Sequence, residues 1–281
     1  TPSLATVSVQ PPPHTECFTV KLDIYQVDAF SQHPFGGNPA AVCPLTEWLS
    51  DAQLQNIAAE NNLSETAFLV PDESDEADYE LRWFTPAVEV ALCGHATLAS
   101  GHILLTRDGG ERVTFRTRKS GILEVRRDGA GYELALPAIP TAPRAYPEAV
   151  ALLGAEPIEV WRNDTRYNIF LFENEAAIRA LDPDIRGLGA LGTDQFICTA
   201  PGDSTDIVSR VFVPGGGVDE DSVTGSAHAV LTPYWAKRLG RTSFTAHQAS
   251  TRGGDLTLRL DGETAWLGGP CVTVVEGSFI L

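Results

Sequence analysis

The apolar residues of this chain fall mostly in short runs that alternate with polar positions and stop at Gly, Asp or Ser, the pattern of half-buried strands. The first half holds runs at 22–27, 66–70, 79–84, 113–118, 122–126 and 132–136. After Pro137 come runs at 158–161, 167–172, 195–199, 206–213, 256–260 and 272–275. Helices are few. Ser50 or Asp51 can cap one that reaches about Asn61, with Leu54, Ile57 and Ala58 on one face and Asn62 breaking it. Gly36-Gly37-Asn38-Pro39 reads as a turn by composition.

The two halves share a phrase. Arg82-Trp83-Phe84-Thr85-Pro86 precedes Cys93-Gly94-His95-Ala96, and Arg210-Val211-Phe212-Val213-Pro214 precedes Thr224-Gly225-Ser226-Ala227. Each reads R-x-F-x-P, a loop, then x-G-x-A opening a helix. The first helix, Gly94 to about Leu105, mixes Ala, Thr, Ser and Gly with Leu and Ile on all sides, which predicts burial all round. The second runs from Gly225 to about Leu239 and ends suitably on Lys237, Arg238 and Gly240. A repeat of about 130 residues predicts a duplicated unit, each copy a strand wall around one buried helix.

Two helix starts that begin with Gly offer unpaired N–H groups and two positive dipole ends, a setting for a carboxylate ligand. Gly94 and Gly225 would admit the ligand close to the backbone, and His95 and Ser226 add side-chain donors. The alternative is that both glycines only permit tight strand-to-helix turns. Asp219-Glu220-Asp221 crowds three carboxylates beside the second helix start, which would separate their pKa values, or it is a solvated acidic loop. Glu65, at the head of Thr66-Ala67-Phe68-Leu69-Val70, would have an elevated pKa if buried, or is an ordinary strand-start Glu. Cys93 and His95 as thiol and base are discounted, because residues i and i+2 at a helix start point apart; Cys93 reads as a small buried residue. His228 could face either the site or the core.

Composition narrows the classes. The 281 residues, 43% hydrophobic, suffice for two cores, and a net charge of −17 disfavours nucleic acid and anionic membrane surfaces as partners. No apolar run approaches the roughly 18–20 residues of a membrane span, and the first fifteen residues lack a secretory pattern, so a cytoplasmic protein is expected. Five cysteines at wide spacing argue against a disulfide framework. Without C-x-x-C or H-E-x-x-H, the expectation is chemistry with no metal and no cofactor. Residues 1–19, with Gln10-Pro11-Pro12-Pro13, are expected to form an N-terminal extension outside the main fold.

Several blocks in register, Gly37-Asn38-Pro39-Ala40-Ala41-Val42, Asn62-Leu63-Ser64-Glu65-Thr66, Phe84-Thr85-Pro86, Leu92-Cys93-Gly94-His95-Ala96-Thr97, Thr117-Arg118-Lys119-Ser120-Gly121 and Glu220-Asp221-Ser222-Val223-Thr224-Gly225-Ser226-Ala227-His228, resemble the signatures of the PhzF-like isomerase family on the diaminopimelate epimerase fold. Gln248-Ala249-Ser250 and Arg252-Gly253-Gly254 extend the likeness, which spans about residues 21–281. The resemblance implies an α+β fold of two similar domains, each a curved antiparallel sheet or barrel around a central helix, with the active site between them. The implied domains are 20–138 plus about 270–281, and 139–269, because the C-terminal strand of this family returns to the first domain. It implies Glu65 as the carboxylate that moves a proton, His95 and Asp221 as groups that hold the substrate, Gly94, Gly225 and Ser226 as carboxylate-binding positions, and a homodimer. The family reaction is a cofactor-free allylic isomerisation. The paired cysteines of related epimerases align with Cys93 and Thr224, so a two-thiol racemisation is disfavoured, and an amino-acid epimerase using Glu65 with Asp221 or Cys93 stands as the alternative. A non-catalytic binder of a small molecule or a partner is the third reading. Relatives commonly have Asp at position 91 and Pro at 222; Ala91 here would enlarge or neutralise the cleft, and Ser222 would free the loop that carries Asp221.

Overall fold

The computed structural model describes residues 20–281, so the expected extension at 1–19 lies outside the described residues. All the expected strands form, most with ends within two residues of expectation; the run at 272–275 extends to Cys271–Ile280. They join into one ribbon. In the first half, hydrogen bonding runs from Cys271–Ile280 to Lys21–Ala29, Asn38–Pro44, Glu65–Pro71, Tyr79–Phe84, Arg112–Thr117, Ile122–Asp128 and Gly131–Pro137. Two of these pairings are parallel, Asn38–Pro44 with Glu65–Pro71 and Tyr79–Phe84 with Arg112–Thr117.

The second half repeats that order. It runs through Ala142–Pro143, Glu159–Arg162, Tyr167–Leu171, Gln195–Pro201, Ile207–Val213, Ser243–Gln248, Gly254–Asp261 and Thr264–Gly269, with parallel pairs at the same two places. Thr264–Gly269 then pairs with Gly131–Pro137, so the sheet passes from one half to the other unbroken. Each half also carries a small strand on its R-x-F-x-P strand: Glu89–Val90 on Tyr79–Phe84, and Val218–Asp221 on Ile207–Val213. The acidic stretch read as a possible loop is therefore a strand end.

Inside each half lies one helix of the repeated phrase, Gly94–Asp108 and Gly225–Leu239. Every residue from Gly94 to Gly101 is buried, with Ile103, Leu104 and Leu105 beyond, as the all-round apolar pattern predicts. Each fully buried Leu or Ile contributes about 1.5–3 kcal/mol. Gly101 is required by packing, since a Cβ there would run into the side chain of Val125. The second helix ends at Gly240 in the left-handed conformation, after Lys237 and Arg238. On the outside, Asp51–Asn61 buries Leu54, Ile57 and Ala58; Ser50 forms a capping box with Gln53, and Asn62 ends the helix in the left-handed region. Among the described residues no helix is long and apolar enough to cross a membrane, and Cys43, Cys93, Cys198 and Cys271 are free thiols.

Candidate active site

The two central helices meet start to start. A Cβ built on Gly94 would lie 3.1 Å from the Cα of Gly225, and one on Gly225 would lie 3.0 Å from the Cα of Gly94. Neither glycine has a positive φ. Both are glycine because two backbones touch there, a reason the sequence reading did not include. Neither helix has a side-chain cap, so the first-turn N–H groups of both remain without such partners.

Beside this junction lies a cleft of about 300 Å³ whose lining includes Glu65, Asp221, Ser226, Gln195, Ala91 and Arg166. His95, Gly94 and Gly225 are buried beneath it. A larger groove of about 420 Å³, lined by Trp161, Tyr234 and Lys237 among others, holds none of these groups.

Glu65 opens the strand Glu65–Pro71, and His95 sits at the second position of its helix. The imidazole Nε2 stands 3.1 Å from Glu65 Oε2. The contact is close enough for an ion pair but poorly directed, and Oε2 has no hydrogen-bond partner although it is buried. Burial pushes the Glu65 carboxyl up, but the charge of His95 and contacts from His95 and Cys93 outweigh it, so the group sits below its ordinary value. This corrects the elevation expected for a buried Glu65, an expectation that weighed burial alone and not the His95 imidazole opposite it. His95 loses by burial, yet the adjacent Cys93 and Glu65 hold it well above its ordinary value. The Cys93 thiol, 3.6 Å from His95 Nδ1, is pushed up to about 11, mainly by burial. The i, i+2 expectation fails in geometry because Cys93 is the extended N-cap, at φ −140° and ψ 107°, and its side chain does not follow the helix.

Asp221 is held from its own half and from the first. Its Oδ1 accepts from Asn38 Nδ2 at 2.8 Å and from Ser222 N at 2.9 Å, and its Oδ2 accepts from Thr224 Oγ1 at 2.7 Å. Burial still raises its pKa against the nearby charge of His95. Strand alternation separates the acidic trio. Asp219 is exposed, and Glu220 turns away to a two-point pair with Arg210 at 2.8 and 2.9 Å. Ser222 does not free this loop, contrary to expectation: its N–H donates to Asp221, which a proline could not do, and its carbonyl accepts from Ser250 Oγ at 2.7 Å. Ala91 does face the cleft, where it leaves no carboxylate. His228 belongs to the core, fully buried, with Nδ1 2.9 Å from the carbonyl of Thr224 and its pKa lowered to about 4 by desolvation.

Sequence reasoning missed Asn38 and Gln195. Asn38 opens a buried strand after Gly37, whose φ of +61° and contact with the Ala29 carbonyl exclude any side chain there. Arg252 holds that turn from the other half, bonding the carbonyls of Gly36 and Gly37 at 2.9 and 2.8 Å and Asp28 at 2.9 Å. Gln195 follows from the repeat. Thr66 pairs with Phe84 and Phe196 with Phe212, so Gln195 occupies the place of Glu65. It hydrogen-bonds Ser226 at 3.0 Å where Glu65 faces His95. Arg82 and Glu89 likewise pair at 2.8 and 2.9 Å, as Arg210 and Glu220 do. The repeat is structurally close and chemically unequal: where the first half has Glu65 and His95, the second has the neutral Gln195 and Ser226, and its own carboxylate at the cleft is Asp221.

A ribbon wound twice around buried helices, with acid–base groups where the helices meet, defines an α+β enzyme of the isomerase and epimerase type. A hydroxyproline epimerase from Agrobacterium vitis shares the fold at a TM-score of 0.57 and 13% identity, over 93% of each chain. The family model for phenazine biosynthesis-like proteins matches residues 27–277, and the chain belongs to that PhzC-PhzF family. An uncharacterized isomerase of Pseudomonas aeruginosa is 48% identical over 261 residues, 92% of this chain and 98% of that protein. Phenazine biosynthesis-like domain-containing protein 2 of Mus musculus is 39% identical, over 92% of this chain and 99% of that one. The crystal structure of a PhzF family protein from Enterococcus faecalis superposes with a TM-score of 0.87 at 42% identity, covering 93% of this chain and all of that one.

Proposed function

We propose that the protein moves a proton, and with it a double bond, within a small carboxylate-bearing substrate, using Glu65 as a single shuttle and neither metal nor cofactor. The observation that carries this reading is the inequality of the repeat: Glu65 and His95 on one side of the cleft correspond to Gln195 and Ser226 on the other. Two-base racemisation needs an ionisable group on each face, and the positions equivalent to Glu65 and Cys93 are Gln195 and Thr224.

The substrate carboxylate would lie at the uncapped helix starts, on the N–H groups following Cys93 and Thr224 and on Ser226. Glu65, kept ionised by His95, takes a proton from one carbon into its unpartnered Oε2. Because its pKa is held low, the protonated form is a willing acid and returns the proton to a second carbon on the same face. Asp221, fixed by Asn38 and Thr224, would accept from an N–H or O–H of the substrate and orient it. Small unsaturated carboxylates screened in deuterated buffer should gain at most one deuterium, at the receiving carbon, in the fraction of turnovers in which protonated Glu65 exchanges with solvent before it returns the proton. Glu65→Gln should lower that exchange by about two to four orders of magnitude while binding persists; exchange near the parent rate would reject Glu65 as the shuttle. Deuterium entering with inversion at the carbon that lost the proton would favour the epimerase reading, with Asp221 as the second group.

A further inference from the structure

The cleft has a cation that the chemistry proposed above does not use. Among its described lining residues, Arg166 alone carries a fixed positive charge. Other arginines of this half are engaged: Arg144 pairs with Asp164 at 2.9 Å and Arg162 with Asp194 at 3.9 Å, whereas Arg166 meets no carboxylate among the described residues. Its place is fixed all the same. The Arg166 carbonyl accepts from Gln195 N at 2.7 Å and from Asn168 Nδ2 at 3.0 Å, and Gln195 in turn bonds Ser226 at the second helix start. The guanidinium stands 5.5 Å from the centre of the Tyr167 ring, a cation–π contact that restrains it, and Tyr167 lines the same cleft.

Both carboxylates of the cleft already have partners. Glu65 faces His95, and the two oxygens of Asp221 accept from Asn38, Ser222 and Thr224. Position 91, on the same lining, is alanine and supplies no third carboxylate, and Val90, Leu92, Val213 and Val218 make much of the remaining lining apolar. A cleft of about 300 Å³ thus offers two separate places for an anion, the uncapped helix starts and the Arg166 guanidinium. We propose that the substrate is a dicarboxylate, with one carboxylate on the helix starts, as the proposed function holds, and the second on Arg166. The short hydrocarbon segment that loses and regains the proton lies against the apolar lining. Arg166 is then a specificity-determining residue and neither acid nor base. Its planar fork matches a carboxylate through two parallel N–H donors. One guanidinium balances one carboxylate charge, whereas a phosphate dianion would leave excess negative charge beside Glu65 and Asp221, so the second group is a carboxylate.

Calorimetric titration with glutarate and adipate, and with valerate and hexanoate as monocarboxylates of the same lengths, reads this subsite without turnover. The parent should bind the better dicarboxylate about tenfold more tightly than its monocarboxylate match, a preference that shrinks as salt is raised. Arg166→Gln should remove the preference and leave the valerate and hexanoate affinities unchanged, and Arg166→Lys should restore part of it. Arg166 is exposed and its contacts within the fold run through its carbonyl, so both variants should melt with the parent. Equal affinity for the two sets in the parent, no binding of either dicarboxylate, or a preference that survives in Arg166→Gln would overturn the assignment. Arg166-dependent binding with neither a double-bond shift nor deuterium entry in unsaturated dicarboxylates would support the subsite and overturn the proton shuttle. Glu65-dependent deuterium entry into unsaturated monocarboxylates at the rate seen with dicarboxylates, unchanged in Arg166→Gln, would support the shuttle and overturn the dicarboxylate.

Discussion

At Glu65 two opposed effects meet: burial favours the neutral acid, while His95 favours the carboxylate, and His95 prevails. The linkage to stability has a definite sign. His95 is raised in the folded state, so its contribution is complete below its unfolded value of 6.5 and disappears as pH rises through the folded value. Glu65 is lowered, so its contribution is present above its unfolded value of 4.5 and is lost as pH falls through the folded one. In urea denaturation, His95→Asn should therefore cost more stability near pH 6 than near pH 9. A cost that grew with pH would contradict the ion pair. Gly225 tests a different force. Alanine there would add about 1 kcal/mol of helix propensity, but its Cβ would press on the Gly94 backbone at 3.0 Å, and backbone on both sides does not yield. The net expectation for Gly225→Ala is a loss of about 1–2 kcal/mol, with weaker carboxylate binding, checked by melting and calorimetric titration. Glu65 stood out as a charge at the head of an apolar run, His95 as the second residue of a Gly-opened helix and Asp221 only as one of an acidic trio, their roles resting on the resemblance. Asn38 and Gln195 are neutral amides at strand ends, and nothing in their local spacing separates them from turn residues.

The elements differ in how plainly the chain announces them. Runs such as 79–84 and 207–213 alternate or are strongly apolar between turn residues, and they formed as expected. Asn38–Pro44 was hidden because it is buried on both faces and follows a Gly-Gly turn, so it shows no alternation. Ser243–Gln248 alternates, but its inward residues are Phe244, Ala246 and Gln248, two of them weak signals. Val218–Asp221 is acidic and short, and only pairing to Ile207–Val213 makes it a strand. That small strand delivers Asp221, and Arg210 holds it through Glu220. Arg210→Met should release the strand, leave Glu220 half-buried and unpaired, and cost about 3 kcal/mol in urea denaturation. Deuterium exchange should fall with it, because Asp221 loses its support. A variant as stable and active as the parent would show that Asn38 and Thr224 suffice to place Asp221.

Over the whole molecule, the duplicated phrase was readable while the sheet that joins its copies was not, since Gly131–Pro137 and Thr264–Gly269 lie far apart along the chain. Their pairing makes the two halves share one sheet, and Arg252 crosses between them a second time to fix the turn before Asn38. The cleft thus rests on a frame with covalent continuity in one direction and hydrogen-bonded continuity in the other. At the far edge, Val20 and Leu281 exchange both backbone hydrogen bonds, at 3.1 and 2.9 Å. Antiparallel partners of this kind have Cα atoms about 5.5 Å apart, a gap that two or three glycines span. The described chain therefore brings residues 20 and 281 into direct hydrogen-bonding contact. A permuted chain that joins 281 to 20 and opens between Gly109 and Gly110, where no other atom lies within 4 Å of a Cβ on Gly109, should fold to the same site and retain its deuterium exchange.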